Sequence, residues 1–278
     1  MPIEIQSEIR IYGQEEFHAL ARRVLRLAFD VHNEFGRLLD EDLCKRELAN
    51  RCLDAGIGPV QMEVRIRLTD GSFWKDYFMD LLLADGLMVE TKAAECLVPA
   101  HHGQTLNYLL LTGMQHGLLI NFRNHRVEHR FVSTKLTPAK RRQFHTHTSR
   151  WKSTDSKAAW LHDRMLRFLN DWGAFLDVSL YRDAMIHFLG GPDLAIGEVD
   201  VMSESRLLGT QDLPLVGDNA ALSISAVLTN PEEYEFHLSR FLHHTHLDHI
   251  HWINLNHHDI TFTTLANSSA RKSAIFLP

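Results

Sequence analysis

Phe73-Trp-Lys-Asp-Tyr-Phe-Met-Asp80-Leu-Leu-Leu83-Ala-Asp85-Gly86-Leu-Met-Val-Glu90-Thr-Lys92-Ala93 is the stretch that decides the fold. Phe73 to Leu83 has the length of a strand, Asp85-Gly86 is a turn signal, and Leu87 to Ala93 reads as the returning strand. Folded about that turn, Glu90 comes back beside Asp80. Strand side chains repeat every second residue, so Glu90 and Lys92 share a face. Two carboxylates and an ammonium therefore converge among Leu81, Leu82, Leu83, Met88 and Val89. Carboxylates taken out of water need a cation, and a hard divalent ion supplies one. Oxygen ligands without cysteine favour Mg²⁺ or Mn²⁺ over Zn²⁺. Such an ion polarises a phosphodiester and activates a water. Lys92 would orient that water, take its proton if its own pKa were lowered, or stabilise charge on the phosphate. A plainer reading stands beside this one, because cross-strand Glu and Lys pairs are common on solvated sheet faces.

Working outward, Phe17, Leu20, Ala21, Val24, Leu25, Leu27, Ala28 and Val31 have helical spacing and predict a helix over 15–34. A second helix is expected from Glu41 to Leu53, ending before Gly56. Val60, Met62, Val64, Ile66 and Leu68 alternate with strand period, and Asp70-Gly71 is a hairpin signal into Phe73. Beyond the decisive stretch, 100–112 reads as a helix, and 117–121 and 126–132 as strands parted by a polar turn. The expected order is helices, three strands, a helix and two strands.

Several short stretches occur here in one consistent order. They are Gly36-Arg-Leu-Leu-Asp-Glu41-Asp-Leu-Cys44, Asp80, Val89-Glu90-Thr-Lys92-Ala93, Leu97-Val-Pro99-Ala-His-His-Gly-Gln104-Thr-Leu-Asn-Tyr108-Leu-Leu-Leu-Thr112-Gly113, and Gly117-Leu-Leu-Ile-Asn121-Phe122. As a set, over roughly residues 15–133, they resemble the GxxExxY proteins of the PD-(D/E)xK nuclease-like superfamily. Leu38 and Cys44 stand where that family's Gly and Tyr would be, so its name-giving motif keeps only Glu41. The resemblance implies that Asp80 and Glu90 are metal ligands and that Lys92 is the catalytic lysine. It further implies that Glu41 is the helical acid completing the metal site and that Gln104 faces that site from a helix. A neutral amide at Gln104 can donate to a phosphate oxygen or to a metal-bound water. His32 and Tyr108 also fall on habitual family positions, where a packed, hydrogen-bonded role is the expectation.

The second half repeats the first. Gly36 to Cys44 lies on Gly173 to Tyr181 at an offset of 137 residues; Val89 to Ala93 lies on Leu222 to Ala226, and Leu118 to Asn121 on His251 to Asn254, at an offset of 133. A helical region near 159–190, strands near 194–228, a helix near 231–245 and strands near 248–255 and 258–265 follow the same order. The fold expected is α/β: tandem restriction-endonuclease-like αβββαβ modules at 1–134 and 159–278, forming an intramolecular pseudo-dimer, with a basic linker at 135–158. Where the first copy has Glu41, Glu90, Lys92 and Gln104, the second has Val178, Ser223, Ser225 and His237, with Asp212 one residue out of register with Asp80. The second copy is thus expected to be degenerate, without a metal site.

The formal charge of −6 divides into −4 for residues 1–134, +6 for 135–158 and −8 for 159–278. An acidic chain is a poor general nucleic-acid binder, so contact with DNA would have to be local. Lys140, Arg141, Arg142 and Arg150 in the linker are the residues expected to reach a phosphate backbone, against the alternative of a merely solvated connector. The 45% hydrophobic and 23% charged composition excludes wholesale disorder and collagen-like repeats. No apolar run approaches the roughly 20 residues of a membrane span, and the start lacks a secretory pattern. Cys44, Cys52 and Cys96 have no zinc-type spacing and suit reduced thiols, so a cytoplasmic location is expected. His237, His243, His244, His246, His249, His251, His257 and His258 crowd the second copy. They are expected to be solvated side chains titrating near pH ~6–7, with a zinc or nickel site as the alternative. The resulting expectation is a Mg²⁺- or Mn²⁺-dependent nuclease hydrolysing DNA through one site. The alternative is a non-catalytic nucleic-acid-binding or scaffolding module on the same fold.

Overall fold

The computed structural model describes residues 2–153 and 155–267, which divide into two compact units at Lys140/Arg141. The first unit contains β1 (Ile3–Ile5), α1 (Gln14–Phe35), α2 (Glu41–Asp54), β2 (Val60–Asp70), β3 (Phe73–Leu83), β4 (Leu87–Lys92), α3 (Pro99–Thr112), β5 (His116–Asn121) and β6 (Glu128–Ser133). A short helix, α4 (Pro138–Arg141), follows. The six strands form one sheet in sequence order. All neighbours are antiparallel except β4 and β5, whose parallel pairing requires the α3 crossover.

The helices form where the apolar period puts them. Phe17, Ala21, Val24, Leu25, Ala28 and Val31 are the buried stripe of α1, and Gly36, at φ 73°, ends the helix. That stripe, with Cys44, Leu48 and Cys52 of α2, packs on Leu81, Leu83, Leu87, Val89, Leu118 and Ile120 of the central strands. Met88 points the other way, towards α3. A Cβ added at Gly117 would lie 2.7 Å from Met88 Cε and 3.3 Å from Thr105 Cγ2, so the glycine lets the strand and α3 approach closely without displacing those side chains. The candidate chemistry lies on the central strands of this sheet, with Asp80 in β3 and Glu90 and Lys92 in β4.

The second unit begins with β7 (His145–Arg150), α5 (Ser156–Trp172), α6 (Val178–Phe188), α7 (Pro192–Ala195), β8 (Ile196–Ser203) and β9 (Arg206–Pro214). It ends with β10 (Ala220–Ser225), α8 (Pro231–His243), β11 (His249–Asn256) and β12 (Asp259–Ala266). The sheet order is β10-β11-β12-β7, with β10 and β11 parallel across α8 and β11 and β12 antiparallel.

Three expectations are corrected here. Residues 135–158 are not a linker: α4 occupies 138–141, β7 pairs in parallel with β12, and α5 starts at Ser156. The helical region near 159–190 is two helices, broken at Gly173 where φ reaches 90°. The meander of the first unit is not reproduced as one sheet, because β8 and β9 form their own ladder, which among the described residues is joined to β10 by the isolated Leu215↔Ala221 bridge.

The registers nevertheless agree in detail. Glu90↔Leu119, Lys92↔Asn121 and Asn121↔Glu128 in the first unit correspond, 133 residues on, to Ser223↔Trp252, Ser225↔Asn254 and Asn254↔Thr261. Asn121 accepts the Ala94 N–H (3.0 Å) and donates to the Ala94 carbonyl (2.7 Å); Asn254 does the same with Val227 (2.8 and 3.0 Å). Thr112 and Thr245 cap the ends of α3 and α8, donating to carbonyls three or four residues back and accepting the N–H of Met114 and Leu247 respectively.

Candidate active site

The β3–β4 turn brings the acids together as their spacing predicts. Leu81↔Val89 is the last ladder pair, and the same register one step further places Glu90 opposite Asp80. The three residues between the strands, Ala84 to Gly86, start with two at positive φ (47° and 57°), which closes the connection tightly. Gly86 is required there, since a Cβ would come within 2.6 Å of the Tyr12 ring and 2.8 Å of the Arg10 carbonyl oxygen.

Glu90 is 1% exposed. Burial, and then the charge of Asp80, push its pKa up to about 7, with Lys92 opposing the rise. Lys92 Nζ donates to Glu90 Oε1 at 2.8 Å, while Oε2 is buried without a hydrogen-bond partner among the described residues. Lys92 Nζ also lies 3.6 Å from Glu41 Oε1. Burial alone would lower the lysine pKa, but Glu90, Asp80 and Glu41 outweigh it and the net shift is upward. Those carboxylates favour the ammonium form of Lys92, fit to donate and to neutralise charge, rather than the lowered pKa that proton abstraction would need.

Glu41 opens α2, and its Oε2 accepts the Ala93 N–H at 3.0 Å, which ties the helix start to the end of β4. Asp80 is fully engaged. Its Oδ2 accepts from the Thr91 N–H (2.8 Å) and hydroxyl (2.9 Å), and its Oδ1 lies 3.3 Å from Lys45 Nζ. Gln104 donates to the Tyr108 hydroxyl at 3.0 Å, and burial beside Glu90 and Asp80 raises the Tyr108 pKa, so this pair borders the same charge cluster. His32 faces the Asn124 carbonyl at 2.9 Å, a packing role.

Sequence reasoning missed Lys45, Glu63 and Thr91. Lys45 is 5% exposed and meets Asp80, Asp42 (3.1 Å) and Glu63. Those carboxylates outweigh its burial and hold its pKa above the ordinary lysine value. Its signal was present, because it lies on the face of α2 that buries Cys44, Leu48, Ala49 and Cys52, where a cation needs an acidic partner. Glu63 lies opposite Asp80 in the β2–β3 register yet is left out of the ladder at φ 51°, which no periodicity foretells.

The oxygen-only donor set suits a hard divalent ion. The orphaned, buried Glu90 Oε2 fits it directly, and Asp80 Oδ1 fits it if Lys45 gives way. Glu41 is committed to Ala93 and Lys92, and among the described residues no three His, Cys, Asp or Glu side chains are gathered as a metal-holding group. Two carboxylates are still enough for Mg²⁺, which typically takes one or two and completes its shell with water and phosphate.

The basic residues of 135–158 are placed otherwise than expected. Arg141 is 1% exposed, and its Nη1 donates to the Trp172 carbonyl at 2.6 Å. Arg142 donates to the carbonyls of Asn170 and Asp171, both at 3.1 Å, and Arg150 forks onto Glu235. Lys140 alone of the four keeps an exposed side chain without such a partner. In the second unit, Asp212 is exposed and stands opposite Glu198 in the β8–β9 ladder. The histidines likewise form no metal group among the described residues. His251 is buried and its pKa is pushed down to about 4 by desolvation, well below the range expected for it.

Residues 18–132 match the family model of the PD-(D/E)XK nuclease superfamily, from within α1 to within β6. No curated protein and no solved structure matches the chain. The match supports that superfamily for the first unit, and its members are usually phosphodiesterases that typically use divalent metals. No helix among the described residues is long and apolar enough to cross a membrane.

Proposed function

We propose that the first unit, a nuclease-superfamily module, hydrolyses DNA phosphodiester bonds with Mg²⁺ or Mn²⁺ at a single site built from Asp80, Glu90 and Lys92. The observation that carries this reading is Glu90, a buried carboxylate with one oxygen on Lys92 and the other orphaned. A structural ion pair would have satisfied both. Asp80 and Glu90 would hold the ion, which when bound supplies a Lewis acid for the phosphate and an acidified water. Lys92, kept cationic by three carboxylates, donates to a non-bridging phosphate oxygen and offsets the charge that builds there. Glu41 fixes the end of β4 through Ala93 and so aims Lys92. The Gln104 amide, with one N–H spent on Tyr108, keeps a second donor for phosphate or water.

The shared registers and the paired asparagine and threonine contacts support descent of both units from one module. With Val178, Ser223 and Ser225 in place of Glu41, Glu90 and Lys92, the second unit carries no equivalent chemistry.

Lys45 favours a second reading, because an ammonium already neutralising Asp80 is what a non-catalytic nucleic-acid-binding or scaffolding module would keep. One assay separates the two: purified chain is incubated with single-stranded and duplex DNA in Mg²⁺ or Mn²⁺, beside Lys92→Ala. Nuclease action predicts a loss of roughly 10²–10³-fold in the variant. Equal traces of cleavage by both would be contamination and would leave the binding module.

A further inference from the structure

In the second unit, the elements that correspond to those around the first unit's site line a cleft of about 290 Å³, built from α6, β9, β10, α8 and β11. Its position follows from the register. Ser223 takes the place of Glu90, and extending the Leu215↔Ala221 bridge by two residues puts Leu213 opposite Ser223, where Asp80 stands opposite Glu90. On the second helix, Val178 replaces Glu41 and Arg182 replaces Lys45. Every carboxylate of the first site is gone while the helical cation remains. The sign of the cleft is thereby reversed.

Arg182 is the one ionised side chain lining the cavity, and it has no ion pair or hydrogen bond with any described residue. A guanidinium offers a planar fork of donors matched to phosphate. Tyr234, Leu238 and Phe241 supply an apolar, partly aromatic wall, and Gln211 and Ser223 bring an amide and a hydroxyl. A cation at the rim, a wall for a flat ring and two groups able to read polar edges suit a ligand carrying both a phosphate and a base. At the small end of the roughly 300–1,000 Å³ of small-molecule sites, the cavity has room for one nucleotide.

We propose that this cleft binds a single nucleotide, its terminal phosphate at Arg182 and its base against Tyr234 and Phe241. The nucleotide is either free or the 5′ end of a strand. The choice of nucleotide among phosphate ligands rests on the nucleic-acid reading of the first unit, whereas the anion site itself does not.

Calorimetric titration of the full chain tests this, with EDTA present so that no metal-dependent cleavage contributes. The probes are the four 5′-deoxynucleoside monophosphates, deoxyadenosine, inorganic phosphate, and a tetranucleotide with and without a 5′ phosphate. Expected is one site per chain for a 5′-monophosphate or for the phosphorylated tetranucleotide. Deoxyadenosine and inorganic phosphate should each bind at least tenfold more weakly. Arg182→Gln, an exposed substitution, should lose at least tenfold in affinity without change in the circular dichroism spectrum. Tighter binding of the free nucleotide identifies that source, and tighter binding of the phosphorylated tetranucleotide identifies the strand end. Absence of binding, equal binding by Arg182→Gln, or equal binding of the nucleoside or of bare phosphate would overturn the proposal. A chain that binds the nucleotide in EDTA and fails to cleave DNA in Mg²⁺ keeps this site and loses the nuclease reading.

Discussion

Glu90 carries a proton in a range where an exposed glutamate does not. Its ordinary pKa of 4.5 is pushed up to about 7 by burial and by Asp80. Between those values the unfolded chain has released the proton and the native chain retains it, so the metal-free protein loses stability as pH rises through that window. The full shift corresponds to roughly 3 kcal/mol at most. Glu90→Gln should flatten this slope, which urea melts at pH 5 and pH 8 in EDTA would show; parallel pH profiles of both proteins would mean that Glu90 ionises freely. Lys45 works in the opposite sense. Lys45→Met leaves Asp80 buried beside Glu63 without its cation and should cost about 3 kcal/mol in the absence of metal. Mn²⁺ should then raise the melting temperature of the variant more than that of the wild type. An equal rise would show that Lys45 and the ion do not share Asp80.

At the scale of elements, the β3–β4 hairpin has little tolerance. Gly86→Ala forces a methyl onto Tyr12 and the backbone of Arg10, and Tyr12 in turn donates to the Ala84 carbonyl at 2.7 Å, so the N-terminal segment is pinned to this turn. The expected loss is about 1–3 kcal/mol, measured by chemical denaturation, with cleavage falling as the turn that aligns Glu90 with Asp80 shifts. The elements legible in the sequence are those whose burial is patterned: α1 with its apolar stripe, β2 with its alternation, and β3 and β4 with turn residues between them. β7 was illegible for a physical reason. His145-Thr-His-Thr-Ser-Arg150 has no buried residue, so its place beside β12 is fixed by backbone pairing, which leaves no hydrophobic trace. β1 is three residues long and equally silent. Within the site, Asp80, Glu90 and Lys92 could be read from strand period alone. Glu41 and Gln104 came from resemblance; the place of Lys45 on the buried face of α2 could signal that it needs an acid, but its partners Glu63 and Asp80 are brought to it only by tertiary folding.

For the whole molecule, the boundary lies at Lys140/Arg141 and the residues just beyond it are structural. Arg141 packs beneath Gly173, where an added Cβ would fall 2.9 Å from the arginine Cβ, and β7 supplies an edge of the second sheet. A fragment starting at Arg141 should fold cooperatively, whereas one starting at Ala159 lacks β7 and should not, as amide-proton dispersion in NMR spectra would reveal. Equal spectra would return 141–158 to the status of a connector. Arg141, Arg142 and Arg150 of that segment are engaged within the second unit, and the cationic feature of interest moves to Arg182. The central claim is that one unit holds the divalent ion through Asp80 and Glu90 while the other lacks the means. Calorimetric titration of the full chain with Mn²⁺ tests it most directly. Binding that is lost in Glu90→Gln and Asp80→Asn and retained in Ser223→Ala is the result predicted. Binding that survives both acidic substitutions, or that disappears in Ser223→Ala, would contradict it.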